Sequence, residues 1–188
     1  MRAPALRLQR WSARVRGKRL APPNRIVIGL AATGLVALAW AMLRTPSVYI
    51  IYNASASMPT GWYRITPSAS VKPADAVLVQ LPAAAADLAS TRGYLPADIP
   101  LIKQVFATSP SRVCIKARRV MVDDQVVATW RPHDRSGRPL PRWDSCRMLA
   151  EDEIWLLNPD HPDSFDSRYF GPLTLDSVLG VAEPLRLD

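Results

Sequence analysis

Eighteen consecutive residues without a charge, Ile26 to Leu43, stand between Arg25 and Arg44. A helix over them is about 27 Å long at 1.5 Å per residue, close to the ~30 Å hydrocarbon core of a bilayer. Residues 1–25 hold Arg2, Arg7, Arg10, Arg14, Arg16, Lys18, Arg19 and Arg25 and no acidic residue. The chain's net charge of +8 is therefore all in this tail, and residues 26–188 are formally neutral. An uncleaved anchor is expected over 26–43, with Trp40 near the far interface. The positive-inside rule then places tail 1–25 in the cytoplasm and residues 44–188 outside. A cleaved secretory signal has the same order of segments, but its apolar core is usually ~7–15 residues long. A buried core helix is the other alternative. A nucleic-acid-binding tail is disfavoured because the basic residues abut the apolar run and the rest of the chain is neutral.

Beyond Leu43 the chain reads as short strands. Eighteen prolines against eight glycines leave little room for long helices, while 48% hydrophobic and 21% charged residues are ordinary for a folded domain. Strands are predicted at 47–52, 61–65, 76–81, 101–107, 113–116, 119–122, 125–129, 154–157 and 178–182. Asp123-Asp124 reads as a two-residue hairpin turn. Only 83–92 has helical composition. Residues 131–146 (RPHDRSGRPLPRWDSC) read as an excursion loop. The expected architecture is a mostly β sandwich or barrel carried by one N-terminal transmembrane helix.

Two cysteines, Cys114 and Cys146, are too few for a zinc ribbon. On the exported side they are most simply one disulfide, with two unrelated buried thiols as the alternative. Two histidines, His133 and His161, leave little for a metal site, and both are expected at the surface. No cofactor is implied.

Three segments can carry chemistry. Asn53–Tyr63 (NASASMPTGWY) is a Ser-rich run that could be only a turn. Lys103 lies on the apolar strand Leu101–Phe106, sharing a face with Leu101 and Val105. Such a lysine marks a sheet edge or snorkels to water. If it is buried, desolvation lowers its pKa and frees a neutral amine as a general base. In Asp163–Pro172 (DSFDSRYFGP), Asp166 and Arg168 are close enough to pair, with serines on either side. Together these segments describe a serine nucleophile and a lysine base, a pairing that needs no histidine.

With those residues in hand, the chain resembles the type I signal peptidases (the serine-lysine S26 family), in the branch of conjugative transfer signal peptidases of the TraF type. The resemblance is carried by SASMPTGWY at 55–63, RGYLPADIPLIKQV at 92–105, RPLPRW with Cys146 at 138–146, and SFDSRYFGP at 164–172. It implies a mostly β, signal-peptidase-like catalytic domain. By position it makes Ser57 the nucleophile, Lys103 the general base, Ser55 an oxyanion-hole hydroxyl and Ser164 the residue that orients the lysine amine. Asp166 and Arg168 resemble the family's structural ion pair beneath the site. The chain departs from the family pattern at Gln104, where arginine is usual. It departs again at Ser109–Arg112, in place of a Pro-Gly-Asp turn, and at Asn158-Pro159-Asp160, in place of a leading Gly-Asp.

The resemblance further implies a bacterial inner-membrane peptidase, with its catalytic domain on the periplasmic side. Its partner would be a signal-peptide-bearing precursor, the pilin subunit of a conjugation or type IV secretion apparatus. The segment 83–92, between nucleophile and base, is expected to form a lid. A broad-specificity housekeeping signal peptidase and a non-catalytic anchored β module of a secretion complex are the alternatives.

Overall fold

The computed structural model describes residues 24–43, 49–68 and 70–188, so most of the basic tail and the start of the first expected strand lie outside the described residues. The chain divides at residues 45/46 into two units. In the first, the Asn24 side-chain oxygen accepts from the Ile26 N–H and caps helix α1 (Arg25–Leu43). Its described apolar side chains are exposed, Ile26 at 69%, Leu30 at 70% and Leu35 at 68%. Among the described residues no helix is long and apolar enough to cross a membrane, the described side chains of α1 ending at Trp40. The helix expected over the uncharged run is thus present, and a span is not shown by it.

The second unit is mostly β. In chain order its elements are β1 (Tyr49–Asn53), β2 (Gly61–Thr66), β3 (Ala76–Val79), α2 (Ala83–Thr91), β4 (Leu101–Thr108), β5 (Arg112–Lys116), β6 (Arg119–Val122), β7 (Gln125–Thr129), β8 (Cys146–Met148), β9 (Glu153–Leu156), α3 (Ser167–Phe170), β10 (Leu173–Thr174) and β11 (Val178–Leu187). One sheet has the order β1-β2-β11-β3-β4-β9-β10 and the other β7-β6-β5-β8. Neighbouring strands pair antiparallel throughout.

Period-two alternation sets which side chains face inward. In β2, Gly61, Tyr63 and Ile65 are buried while Trp62, Arg64 and Thr66 are exposed. Tyr63 and Ile65 pack with Leu78, Ile102 and Ala182. On the other side of this sheet Val77, Val79, Val105, Ile154, Leu156 and Leu173 form a second cluster. The smaller sheet buries Val113, Ile115, Val120 and Val122 against Trp155 and Leu157. The β6–β7 hairpin turns on Asp123 and Asp124, both at positive φ, as a type I′ turn demands.

β4 lies inside the larger sheet, between β3 and β9. Lys103 pairs across from Val77. The edge or snorkelling reading of Lys103 therefore does not hold, because both flanks of its strand are covered and the residue is 4% exposed. The structure extends one further expectation and adds two strands that were not expected. β11 continues to Leu187, five residues past the expected end, because β2 offers partners as far as Gly61. The short strands β8 and β10, of three and two residues, are too short for alternation to reveal.

Cys114 and Cys146 face each other across β5 and β8 and are bonded. The bridge closes residues 115–145, including the excursion. That excursion is pinned by a His133–Pro139 bridge and by Trp143, which packs on Trp155 at 5.1 Å. Gly171 accepts Trp143 so closely that a Cβ there would lie 2.5 Å from the indole Cδ1. Replacing both cysteines by serine is expected to cost about 3–4 kcal/mol by loop closure over this length. Urea unfolding of the oxidised and double-serine proteins measures it, and equal midpoints would contradict it.

Candidate active site

The nucleophile candidate sits in the seven-residue connection 54–60 between β1 and β2, closed at its base by the Asn53–Gly61 pair. Ser57 is 8% exposed. The connection has no ladder of its own, so side chains hold it. Asn53, the last residue of β1 and buried, donates through Nδ2 to the carbonyls of Ser55 (3.0 Å), Met58 (3.2 Å) and Pro59 (3.0 Å). Its Oδ1 accepts from the Ser55 N–H at 3.1 Å. The Tyr63 hydroxyl donates to the Pro59 carbonyl at 2.8 Å. The Met58 N–H closes a turn on the Ser55 carbonyl.

Lys103 reaches this connection from the interior of the sheet. Its Nζ lies 2.7 Å from Ser57 Oγ and 2.8 Å from Ser164 Oγ. Ser55 Oγ is 2.9 Å from Ser57 Oγ and also accepts, at 3.4 Å, from the Ser57 N–H. The four candidates Ser55, Ser57, Lys103 and Ser164 thus form one continuous cluster. Burial pushes the Lys103 amine from its ordinary value of 10.5 down to about 8. The Asp166 charge works to raise it and Arg168 to lower it, and desolvation wins.

Beneath the cluster lies the Asp166–Arg168 pair, 0% and 1% exposed. It is no surface ion pair. Arg168 Nε donates to Oδ1 and Nη2 to Oδ2 of Asp166, both at 2.8 Å, a two-pronged contact. The Asp166 side chain also caps α3, accepting from the Arg168 N–H at 3.3 Å. Nη2 also donates to the carbonyls of Ser164 (3.1 Å) and His161 (3.0 Å), and Nη1 donates to that of Thr129 (3.3 Å). Burial works against the guanidinium's charge, yet its pKa is held above the ordinary value by the Asp166 contacts. Each guanidinium nitrogen thus has an acceptor in the low-dielectric interior, as such a buried pair requires.

A cavity of about 320 Å³ opens from Ser57 and Lys103. Leu95, Leu101, Leu140, Phe165 and Tyr169 line it on the apolar side, and Arg131, Arg135, Asp163, His133 and His161 on the polar side. Helix α2 contributes Ala89 to the wall. It packs through Ala85, Ala86 and Ala89 on Leu81, with Phe165 and Phe170 alongside. It is therefore part of the packed wall, which does not support the expectation of a lid. His133 is exposed as expected, whereas His161 is half-buried. Among the described residues no group of three or more His, Cys, Asp or Glu side chains could hold a metal ion.

Sequence reasoning missed Asn53 and Asn158. Asn158 Nδ2 donates to the Ser57 carbonyl, and its Oδ1 accepts from the Asp160 N–H at 3.1 Å. A signal existed for each: an asparagine at the end of an apolar run, followed by turn formers, is the pattern of a side chain bonded to nearby backbone. The Ser57 carbonyl, 101 residues from Asn158, is beyond such a signal.

The buried pair makes a stability forecast. Asp166→Asn leaves the Arg168 charge uncompensated in the interior and is expected to cost about 3–5 kcal/mol. Chemical unfolding checks this, and a loss below about 1 kcal/mol, the scale of an exposed pair, would contradict it.

This arrangement can be set beside known proteins. The family model for signal peptidase, peptidase S26, matches residues 24–185. A plasmid transfer protein TraF of Escherichia coli is 31% identical over 175 residues, covering 86% of this chain and 98% of its own. A probable conjugal transfer protein TraF of Sinorhizobium fredii is 34% identical over 167 residues, 82% of each chain. Among solved structures, a signal peptidase I of Enterococcus faecalis V583 covers 60% of this chain and 96% of its own, at 16% identity and a TM-score of 0.35. The chain belongs to the S26 signal peptidase family, in its TraF branch.

Proposed function

We propose that the chain is a membrane-anchored serine endopeptidase that removes signal peptides from exported precursors, with Ser57 as nucleophile and Lys103 as general base. The observation that carries this reading is the 2.7 Å contact between Ser57 Oγ and a buried Lys103 amine. A lysine so desolvated is neutral for part of the time near neutral pH, and a neutral amine can accept the hydroxyl proton.

The steps follow from the geometry. Lys103 takes the Ser57 proton as Oγ attacks the scissile carbonyl carbon. The developing oxyanion is met by the Ser57 N–H and the Ser55 hydroxyl, each such donor typically worth ~3–4 kcal/mol. Both are within reach, since in the free enzyme they pair with each other at 3.4 Å. The tetrahedral species collapses, the C–N bond breaks, and the ammonium of Lys103 returns its proton to the leaving amine. An ester on Ser57 remains. Water, its proton taken by Lys103, then attacks that ester, the acyl C–O bond breaks, and the Lys103 ammonium returns the proton to Ser57 Oγ. Ser164 Oγ, 2.8 Å from Nζ, keeps the amine aimed at Ser57 through these transfers.

The anchor belongs to the same reading. α1 has 19 residues, presents apolar side chains throughout its described part, and follows a tail rich in arginine. With 18 uncharged residues it fits the hydrocarbon core of a bilayer, with the tail cytoplasmic and the catalytic unit periplasmic. Ser57 follows Leu43 by only 14 positions, which keeps the nucleophile within a short tether of the membrane surface. That suits a cleavage site just emerging from the bilayer. The relatives, plasmid and conjugal transfer proteins, favour a dedicated substrate, the pilin of a conjugation apparatus.

Ser57→Ala and Lys103→Ala are each expected to lower precursor cleavage by about 10³-fold or more, without loss of protein from the membrane. Mass analysis of the pilin precursor checks this, and cleavage that persists in either variant would contradict the serine-lysine mechanism and favour the non-catalytic module. Only neutral Lys103 acts as base, so kcat/KM should rise with pH through about 8 and then level. A profile flat from pH 6 to 9 would contradict this. Lys103→Met should abolish cleavage while leaving the thermal midpoint equal or higher, because it removes a buried amine at similar volume. A clearly lower midpoint would show that the amine stabilises the fold.

A further inference from the structure

The Ser57–Met58 peptide is held at both ends. Its N–H, on Met58, donates to the Ser55 carbonyl at 3.4 Å, and its C=O, on Ser57, accepts from Asn158 Nδ2. Asn158 is fixed in turn: its Oδ1 takes the Asp160 N–H, and its own N–H donates to Asp166 Oδ2 at 3.4 Å. Asp166 holds Arg168, Arg168 Nη2 donates to the Ser164 carbonyl at 3.1 Å, and the Ser164 hydroxyl contacts Lys103 Nζ. Lys103 Nζ closes the circuit on Ser57 Oγ. Nucleophile and base are thus both referred to one buried ion pair, the base through Ser164 and the nucleophile through Asn158.

We infer that Asn158 is a positioning residue for the nucleophile, resting on the reading of Ser57 as the attacking group. The direction of the Ser57 side chain follows from the backbone torsions that its carbonyl fixes, and no strand ladder supplies a partner for that carbonyl. Without the Asn158 amide the carbonyl loses its donor and the peptide can rotate, which shifts the Ser57 torsions and moves Oγ off its line of attack. The burial of Lys103 on β4 and its contact with Ser164 Oγ do not run through Asn158, so the desolvation that sets the amine's titration stays in place.

The test is Asn158→Ala in the full-length, membrane-inserted protein, with Ser57→Ala as reference. A displacement of about 1 Å at a reacting atom costs on the order of 10²-fold, so kcat per folded molecule should fall about 10–100-fold. KM should stay within about twofold, and the pH–rate midpoint should stay where the wild type has it, because neither binding nor the base is altered. Folded fraction is read from thermal unfolding of the same preparation. An unchanged kcat per folded molecule would overturn the inference. So would a fall accompanied by a displaced pH midpoint, which would place the effect on Lys103 through the buried pair. Should Ser57→Ala itself retain activity, the serine reading fails and not the geometry of Asn158 alone.

Discussion

Everything in the site depends on putting an amine inside a β-sheet. Taking a charged ammonium from water into a protein interior costs several kcal/mol, and a protein keeps such a group only where the neutral form is useful. Here Lys103 is on β4, covered on both flanks by β3 and β9, and its end meets two serine hydroxyls and no carboxylate. A carboxylate in direct contact would hold the amine charged. Asp166 is instead engaged on both oxygens by Arg168, so its charge reaches Lys103 already largely offset. Desolvation is left as the dominant influence, and it moves an amine that is ordinarily charged at neutral pH towards its neutral form.

That arrangement explains why the polar groups around Lys103 are so thoroughly bonded. A half-satisfied buried network is worse than an apolar core. Ser164, Ser167, Asp166 and Arg168 are all buried, and each is bonded to backbone or to one another. Ser167 Oγ, for example, accepts the Leu156 N–H of β9 at 3.0 Å, tying this segment to the strand beside Lys103. The nucleophile's connection shows the same economy from the other side. It is irregular backbone, and two asparagine side chains supply the contacts that a strand would have found in its neighbour.

Much of this was legible in the sequence, for reasons that differ from residue to residue. The alternation in Gly61–Thr66 and the apolar run around Lys103 report burial directly, and the Asp-Asp turn reports its hairpin. Ser57, Lys103, Ser55 and Ser164 were found because they lie in short patterns shared with a family, not because any one of them stands out chemically. The opposite reading of Lys103, as an edge residue, could not be refused from local pattern, because strand order is decided by contacts far apart in sequence. β10 and β8 escaped for a related reason: strands of two or three residues exist only where a partner is waiting. Asn158 shows the limit most clearly, since its partner lies 101 residues away and its own neighbours spell nothing but a turn.

The central claim is that burial makes Lys103 give up its proton near pH 8, far below an ordinary lysine, and its titration can be observed directly. The chain has four lysines, so selective labelling of lysine Cε with ¹³C in the detergent-solubilised protein gives a spectrum that Lys103→Met assigns at once. The account predicts that the Lys103 signal titrates with a midpoint near 8, well below the other three. A midpoint at or above the ordinary lysine value of 10.5 would contradict it, because the amine would then be charged whenever the enzyme works.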